Sequence, residues 1–197
     1  MAATLQRHSV GLTWTEAGAM ARSAHALAAG DRVWLIDPYD DDEALSAAMA
    51  LGRPAAVLQL LDRHARDCAA IADGLGVPHL RLPERVEDSP FEAGRVLWQR
   101  WWHEVYLWWP QEQALIVAEA VGTAPAFGLG RPAGMHPMLR LLPPRGALSE
   151  YRPQRLLVGH GATIDSGASD ALHGALDHSR SDLARLPLKL PGLLRGG

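Results

Sequence analysis

One cysteine, one lysine and two phenylalanines are the scarcities of this 197-residue chain. The lone Cys68 excludes an internal disulfide framework and fits a reducing compartment. With Lys189 the only lysine, positive charge is almost all arginine, and a net charge of -3 leaves no basic surplus for a nucleic-acid backbone. No apolar run reaches the roughly eighteen residues of a membrane helix. The first residues show no apolar core between a basic end and a small-residue cleavage site. The expectation is a cytoplasmic protein with neither a membrane nor a nucleic acid as partner.

What is present is a 48% apolar composition, enough for one two-layer core. Residues 1–178 are expected to form a single domain. Residues 179–197, where Pro187 and Pro191 interrupt a Leu/Arg composition, are expected to form a tail that packs loosely or orders on a partner.

Arg32-Val33-Trp34-Leu35-Ile36 reads as a buried strand ending on Asp37, and the acidic Asp40-Asp41-Asp42-Glu43 as the first turn of a helix over 43–51. A strand over 54–61, a charged turn, a helix over 67–75 stopped by Gly76 and a short strand over 77–83 follow, which is an alternating α/β pattern. Residues 11–28 fit a hairpin, while 16–29 also fit a helix. Trp98, Trp101 and Trp102 fall at helical spacing, and residues 105–109 and 114–118 read as a hairpin. Residues 128–146, rich in proline, read as loop with room for one helical turn. A strand over 154–158, the tight turn Gly159-His160-Gly161 and a helix over 168–178 close the pattern.

The stretches that carry chemistry lie at strand ends: Asp37, the turn Leu61-Asp62-Arg63-His64-Ala65-Arg66-Asp67-Cys68, Glu119 after a strand, and Gly159-His160-Gly161. In this order and spacing, residues 33–176 resemble the metallo-β-lactamase superfamily, with the glyoxalase II and ribonuclease Z-like hydrolases. The resemblance implies an αββα sandwich and a hydrolytic two-metal site.

That family's turn, His-x-His-x-Asp-His, gives two histidines to one metal and an aspartate and a histidine to a second. Laid without gaps, it falls on residues 63–68. Arg63 and Ala65 then stand in for the first-metal histidines, Asp67 keeps the aspartate, Cys68 takes the last histidine, and His64 lies one position out of phase. A third first-metal ligand position falls at or near Arg100. A guanidinium has no lone pair to donate, so the first metal is expected to be lost. Any retained ion, zinc or else iron or manganese, would sit on Asp67, Cys68, Glu119 and His160. The other reading is a metal-free pocket in which Arg63 and Arg100 pair with Asp67, Glu119 and Asp37. It takes precedence because a dication beside two guanidiniums meets several kcal/mol of repulsion at an effective dielectric of ~20.

The expected function is therefore a protein of this fold without two-metal hydrolysis, binding a small molecule or a partner. The alternative is a single-metal hydrolase of an ester, thioester or lactone. A third reading is thiolate chemistry at Cys68, which lies between arginines at a helix start. His8, His25, His79, His136, His173 and His178 show no ligand spacing and are expected on the surface or in the core. The five tryptophans of residues 98–109 exceed what a short segment readily buries. About half are assigned to the core and the rest to a ligand pocket or, preferably, a homodimer surface.

Overall fold

Alternation of side chains along each strand decides which layer they enter. The structure, a computed structural model, describes residues 3–193, with side chains to residue 185. One sheet of six strands runs in chain order: β1 (Thr4–His8), β2 (Gly11–Thr15), β3 (Ser23–Ala29), β4 (Arg32–Ile36), β5 (Arg53–Gln59) and β6 (His79–Arg81). β1 to β4 pair antiparallel, and β4, β5 and β6 pair parallel. Parallel neighbours need crossovers. These are α1 (Asp42–Met49), capped by the Asp41 carboxylate on the Ala44 N–H, and α2 (Cys68–Leu75), which ends on the left-handed Gly76. Val33 and Leu35 of β4 pack toward these helices with Leu12, Trp14, Val57 and Cys68, whereas Trp34 and Ile36 enter the larger core between the sheets.

The facing sheet contains β7 (Glu92–Gln99), β8 (Trp102–Trp109), β9 (Ala114–Val117) and β12 (Arg155–Val158), in the order β12-β9-β8-β7. β10 (Val121–Gly122) and β11 (Gly134–Met135) form a small ribbon beside it. The short helices α3 (Pro125–Gly128) and α4 (Arg145–Leu148) lead to α5 (Ala168–Leu193), whose Leu172, Ala175 and Leu176 complete the core. Two sheets between helical layers are the expected αββα sandwich.

Three local expectations change. Residues 16–29 are not helical: β2 and β3 pair as a hairpin, with Thr13 opposite His25. The helical spacing of Trp98, Trp101 and Trp102 is produced instead by the β7–β8 hairpin, whose turn holds Arg100 and Trp101. Trp102 and Trp109 are core residues, Trp108 is half-buried, and Trp98 and Trp101 are exposed. The last helix does not stop at residue 178 but continues to Leu193, with Ser179 and Asp182 buried, the Asp182 carboxylate paired with Arg131 and its backbone carbonyl accepting from Arg140. The side chains of residues 186–197 lie outside the described residues. No helix among the described residues is long and apolar enough to cross a membrane.

Candidate metal centre

The sandwich brings four strand ends together, and each contributes one part of the site. After β4, Asp37 adopts a left-handed conformation (φ 45°), uncommon but tolerated by aspartate. This turns its carboxylate across the sheet edge: Oδ1 accepts the Leu60 N–H at 2.9 Å, and Oδ2 meets His64 Nδ1 at 3.0 Å. A carboxylate accepts only, so Nδ1 carries the proton and Nε2 keeps the lone pair. After β12, His160 Nδ1 donates to the Met20 carbonyl at 2.8 Å, which likewise leaves Nε2 as the lone-pair nitrogen. That Nε2 is buried and has no hydrogen-bond partner. Burial, ahead of the neighbouring charges, holds the His160 pKa down to about 4, so the imidazole is neutral at physiological pH. The glycines beside it are dictated by close approach: a Cβ at Gly159 would lie 2.2 Å from the Ala118 carbonyl oxygen, and one at Gly161 2.3 Å from the Ala124 nitrogen.

Glu119 follows β9. Its Oε1 lies 3.8 Å from His160 Nε2 and 3.6 Å from His136 Nε2, while its Oε2 accepts Arg63 Nη2 at 3.0 Å. Among the described residues, His64, Glu119 and His160 form the one group of three whose ligand atoms all lie within 4.8 Å of one another. Two imidazole nitrogens and a carboxylate form a donor set that zinc accepts with a fourth position open. The unpartnered Nε2 of His160 is what such a group would satisfy, so the residues present fit a single divalent cation.

Glu104, on β8, is a fully buried carboxylate whose Oε1 accepts the N–H groups of Ala118, Glu119 and Ala120, and whose Oε2 accepts the Trp102 indole N–H. It fixes the backbone that carries Glu119. Burial pushes its pKa up to about 7. Arg63 lies over the Trp102 ring, 4.3 Å from the centroid, and donates to the Trp101 carbonyl at 2.9 Å.

The residues expected from sequence divide clearly. Asp37, Arg63, Glu119 and His160 come together. Asp67 does not join them, because its carboxylate turns to the Asp40 N–H at 2.9 Å, in a groove between α1 and α2. Cys68 faces the core under those helices, and burial pushes its pKa up to about 12, the opposite of an activated thiolate. Arg100 sits exposed in the hairpin turn, away from the cluster. His64, set aside as out of phase, is a cluster member, and His136, assigned no role, is a neighbour of Glu119. Arg66 was also missed. Its Nη1 donates to the carbonyls of Ser23 (2.5 Å) and Asp37 (2.6 Å), and its Nη2 to that of Gly159 (3.2 Å). An inward charge in the alternating β8 run was a readable signal for Glu104. Nothing local marked Arg66.

His25 joins the two sheets behind this cluster. Its Nε2 donates to the Val158 carbonyl at 3.2 Å, and its Nδ1 accepts from the Thr13 hydroxyl at 2.8 Å. Burial, reinforced by His8 and Arg66 and opposed by Asp37, lowers its pKa from 6.5 to about 3. In the unfolded chain the ring takes a proton near pH 6.5, while in the folded chain it stays neutral. Its contribution is therefore fully present above pH 6.5 and falls as pH falls, by roughly 1.4 kcal/mol per unit. Between pH 7 and pH 5 the wild type is expected to lose roughly 2 kcal/mol more than His25→Gln in urea unfolding. Equal losses would remove this assignment.

No protein-family model matches the sequence, and no curated protein sequence matches it. The structure does match solved ones. A metallo-β-lactamase from Pontibacter korlensis superposes with a TM-score of 0.65 at 12% identity, over 90% of this chain and 99% of that one. One from Erythrobacter litoralis gives 0.61 at 13% identity, over 91% and 92%. The enzyme FIM-1 from Pseudomonas aeruginosa, in its mono-zinc form, gives 0.62 at 11% identity, over 93% and 97%. Identities this low speak for the fold alone, and the fold of this chain is that of the metallo-β-lactamases.

Proposed function

We propose that this chain does not carry out two-metal hydrolysis and works as a single-metal hydrolase of an ester, thioester or lactone, with His64, Glu119 and His160 holding the ion. The buried, unpartnered Nε2 of His160 beside Glu119 and His64 is the observation that carries this reading. Zinc suits the set, and iron or manganese accept the same donors. Bound there, a divalent ion supplies Lewis acidity toward a carbonyl and brings the acidity of water near neutrality. The chain's own residues prepare the donors. Asp37 holds the Nδ1 proton of His64 and the Met20 carbonyl that of His160, so that each ring presents its lone pair. Arg63 engages one oxygen of Glu119, leaves the other toward the histidines, and is exposed enough to meet the negative charge that grows on a carbonyl oxygen.

Arg66 supports the reading of one ion rather than two. Moved one residue toward the N-terminus, the pattern His-x-His-x-Asp-His falls on Asp62, His64, Arg66 and Asp67. The second-metal aspartate position is then a guanidinium already engaged with three carbonyls, and Asp67 is turned to Asp40. A fold neighbour in a mono-zinc form is in keeping with one ion. The second reading, a metal-free ligand-binding module, is favoured by the Arg63–Glu119 pair at 3.0 Å, which neutralises the carboxylate without a metal.

Metal analysis of protein purified without a histidine tag or chelator, incubated with zinc and desalted, separates the two. About one equivalent is expected. Less than about a tenth of an equivalent would replace the hydrolase with the binding module, and two equivalents would contradict the role given to Arg66.

A further inference from the structure

Beside the metal centre, the tip of the β7–β8 hairpin and residues 137–142 enclose an apolar groove of about 440 Å³, lined by Leu97, Trp101, Met138, Leu141 and Leu142 among others. Its size falls within the ~300–1,000 Å³ of small-molecule pockets. Trp101 is 49% exposed, Met138 63%, Leu141 62% and Leu142 73%, so four large apolar side chains from two separate segments face solvent around one depression. Scattered exposed apolar residues need no explanation, but a contiguous set does.

The two walls end at the site. The Trp101 carbonyl accepts from Arg63, which holds Glu119. The Met138 N–H donates to His136 Nδ1 at 3.2 Å, and the other ring nitrogen of His136 lies 3.6 Å from Glu119. The His136 and Trp102 rings, neighbours in sequence of Pro137 and Trp101, pack edge to face with centroids 4.9 Å apart. The Trp101 wall of the groove is thus bordered by a partly exposed guanidinium, that of Arg63. Its lining is apolar apart from Gln99 and a cation borders one wall, so it complements an alkyl chain that finishes in an anionic or carbonyl-oxygen head.

We propose that this groove binds the acyl chain of the substrate, which makes the substrate class medium- or long-chain acyl esters, thioesters or alkyl lactones. This rests on the single-metal reading above. In that arrangement the chain lies against Leu97, Met138, Leu141 and Leu142, and the acyl carbonyl lies beside Arg63 and the His64–Glu119–His160 cluster.

Straight-chain carboxylates from hexanoate to dodecanoate, titrated calorimetrically into zinc-treated protein, test it. Affinity is expected to tighten about two- to fourfold per added methylene, since the groove is open on one side. Leu142→Asp is expected to weaken decanoate at least about tenfold while zinc content stays as in the wild type. Because Leu142 is 73% exposed, folding is not at stake, and Leu141→Asp is expected to act in the same way. A flat chain-length series in zinc-bearing protein would overturn the groove while leaving the single-metal reading intact. A chain-length series in protein that takes up no zinc would support the groove and remove that reading. A dimer dissociated by Leu142→Asp, with no carboxylate binding to either form, would assign the groove to a second copy of this chain and overturn the proposal.

Discussion

Glu104→Ala is expected to lower stability by roughly 4 kcal/mol, which for a domain of this size is about 8–16 °C in Tm. The carboxylate accepts the Ala118, Glu119 and Ala120 N–H groups at 3.1, 2.9 and 3.0 Å and the Trp102 indole N–H at 2.7 Å. Removing it leaves these donors facing an apolar interior, and an unmet buried donor costs more than a hydrogen bond normally contributes. Glu104→Gln keeps one carbonyl oxygen for the three backbone donors but opposes its amide N–H₂ to the indole N–H, so its loss is expected to be roughly half that of alanine. Urea midpoints with an unchanged m-value read both. A loss below about 1 kcal/mol for Glu104→Ala would mean that water or a backbone shift replaces the carboxylate. The same substitution releases the segment carrying Glu119, so zinc affinity is expected to fall with stability.

Arg66→Ala is the second large effect, expected at roughly 3–4 kcal/mol. Arg66 holds a left-handed backbone conformation (φ 40°), which directs its guanidinium inward to the carbonyls of Ser23, Asp37 and Gly159. Those carbonyls belong to three separate strand ends, each next to a part of the centre. Alanine leaves them without this donor, and the Asp37 turn that aims at His64 loses its clasp. Hydrogen exchange is the informative measurement. Protection is expected to fall at residues 37, 60–64 and 159–161 together, as one cooperative unit. A loss confined to the 62–67 turn would show that Arg66 stabilises only its own loop. Arg66→Lys is expected to recover little, because an ammonium reaches one or two carbonyls where the planar fork reaches three.

How far the chain could be read in advance follows from where its specificity is written. The alternation in residues 32–37 and 105–109, the glycine stop at Gly76 and the Gly159-His160-Gly161 turn are local patterns, and they carried the sandwich and the positions of Asp37, Glu119 and His160. The helix alternative over 16–29 failed because strand pairing, with Thr13 against His25, overrides the local propensity of an alanine-rich run. The charged turn failed for a different reason. Its residues have no regular period, and their directions are set by distant partners: the Asp62 N–H donates to the His103 carbonyl, His64 meets Asp37, and Asp67 meets the Asp40 N–H. A gapless overlay on residues 63–68 therefore points to Cys68, which faces the core, and passes over His64, which lies near Glu119 and His160. Arg100 is expected at a ligand position shortly before the strand over 105–109, whereas the β7–β8 hairpin turn carries it out into solvent.

The central claim is that His64, and not Cys68, completes a single-metal site with Glu119 and His160. Absorption spectra of the protein loaded with cobalt test it most directly, because a thiolate ligand adds an intense sulfur-to-metal charge-transfer band that nitrogen and oxygen donors lack. The account predicts one equivalent of cobalt with ligand-field bands and no thiolate band, unchanged in Cys68→Ala and lost in His64→Ala. A thiolate band that disappears in Cys68→Ala, or cobalt retained in full by His64→Ala, would contradict it.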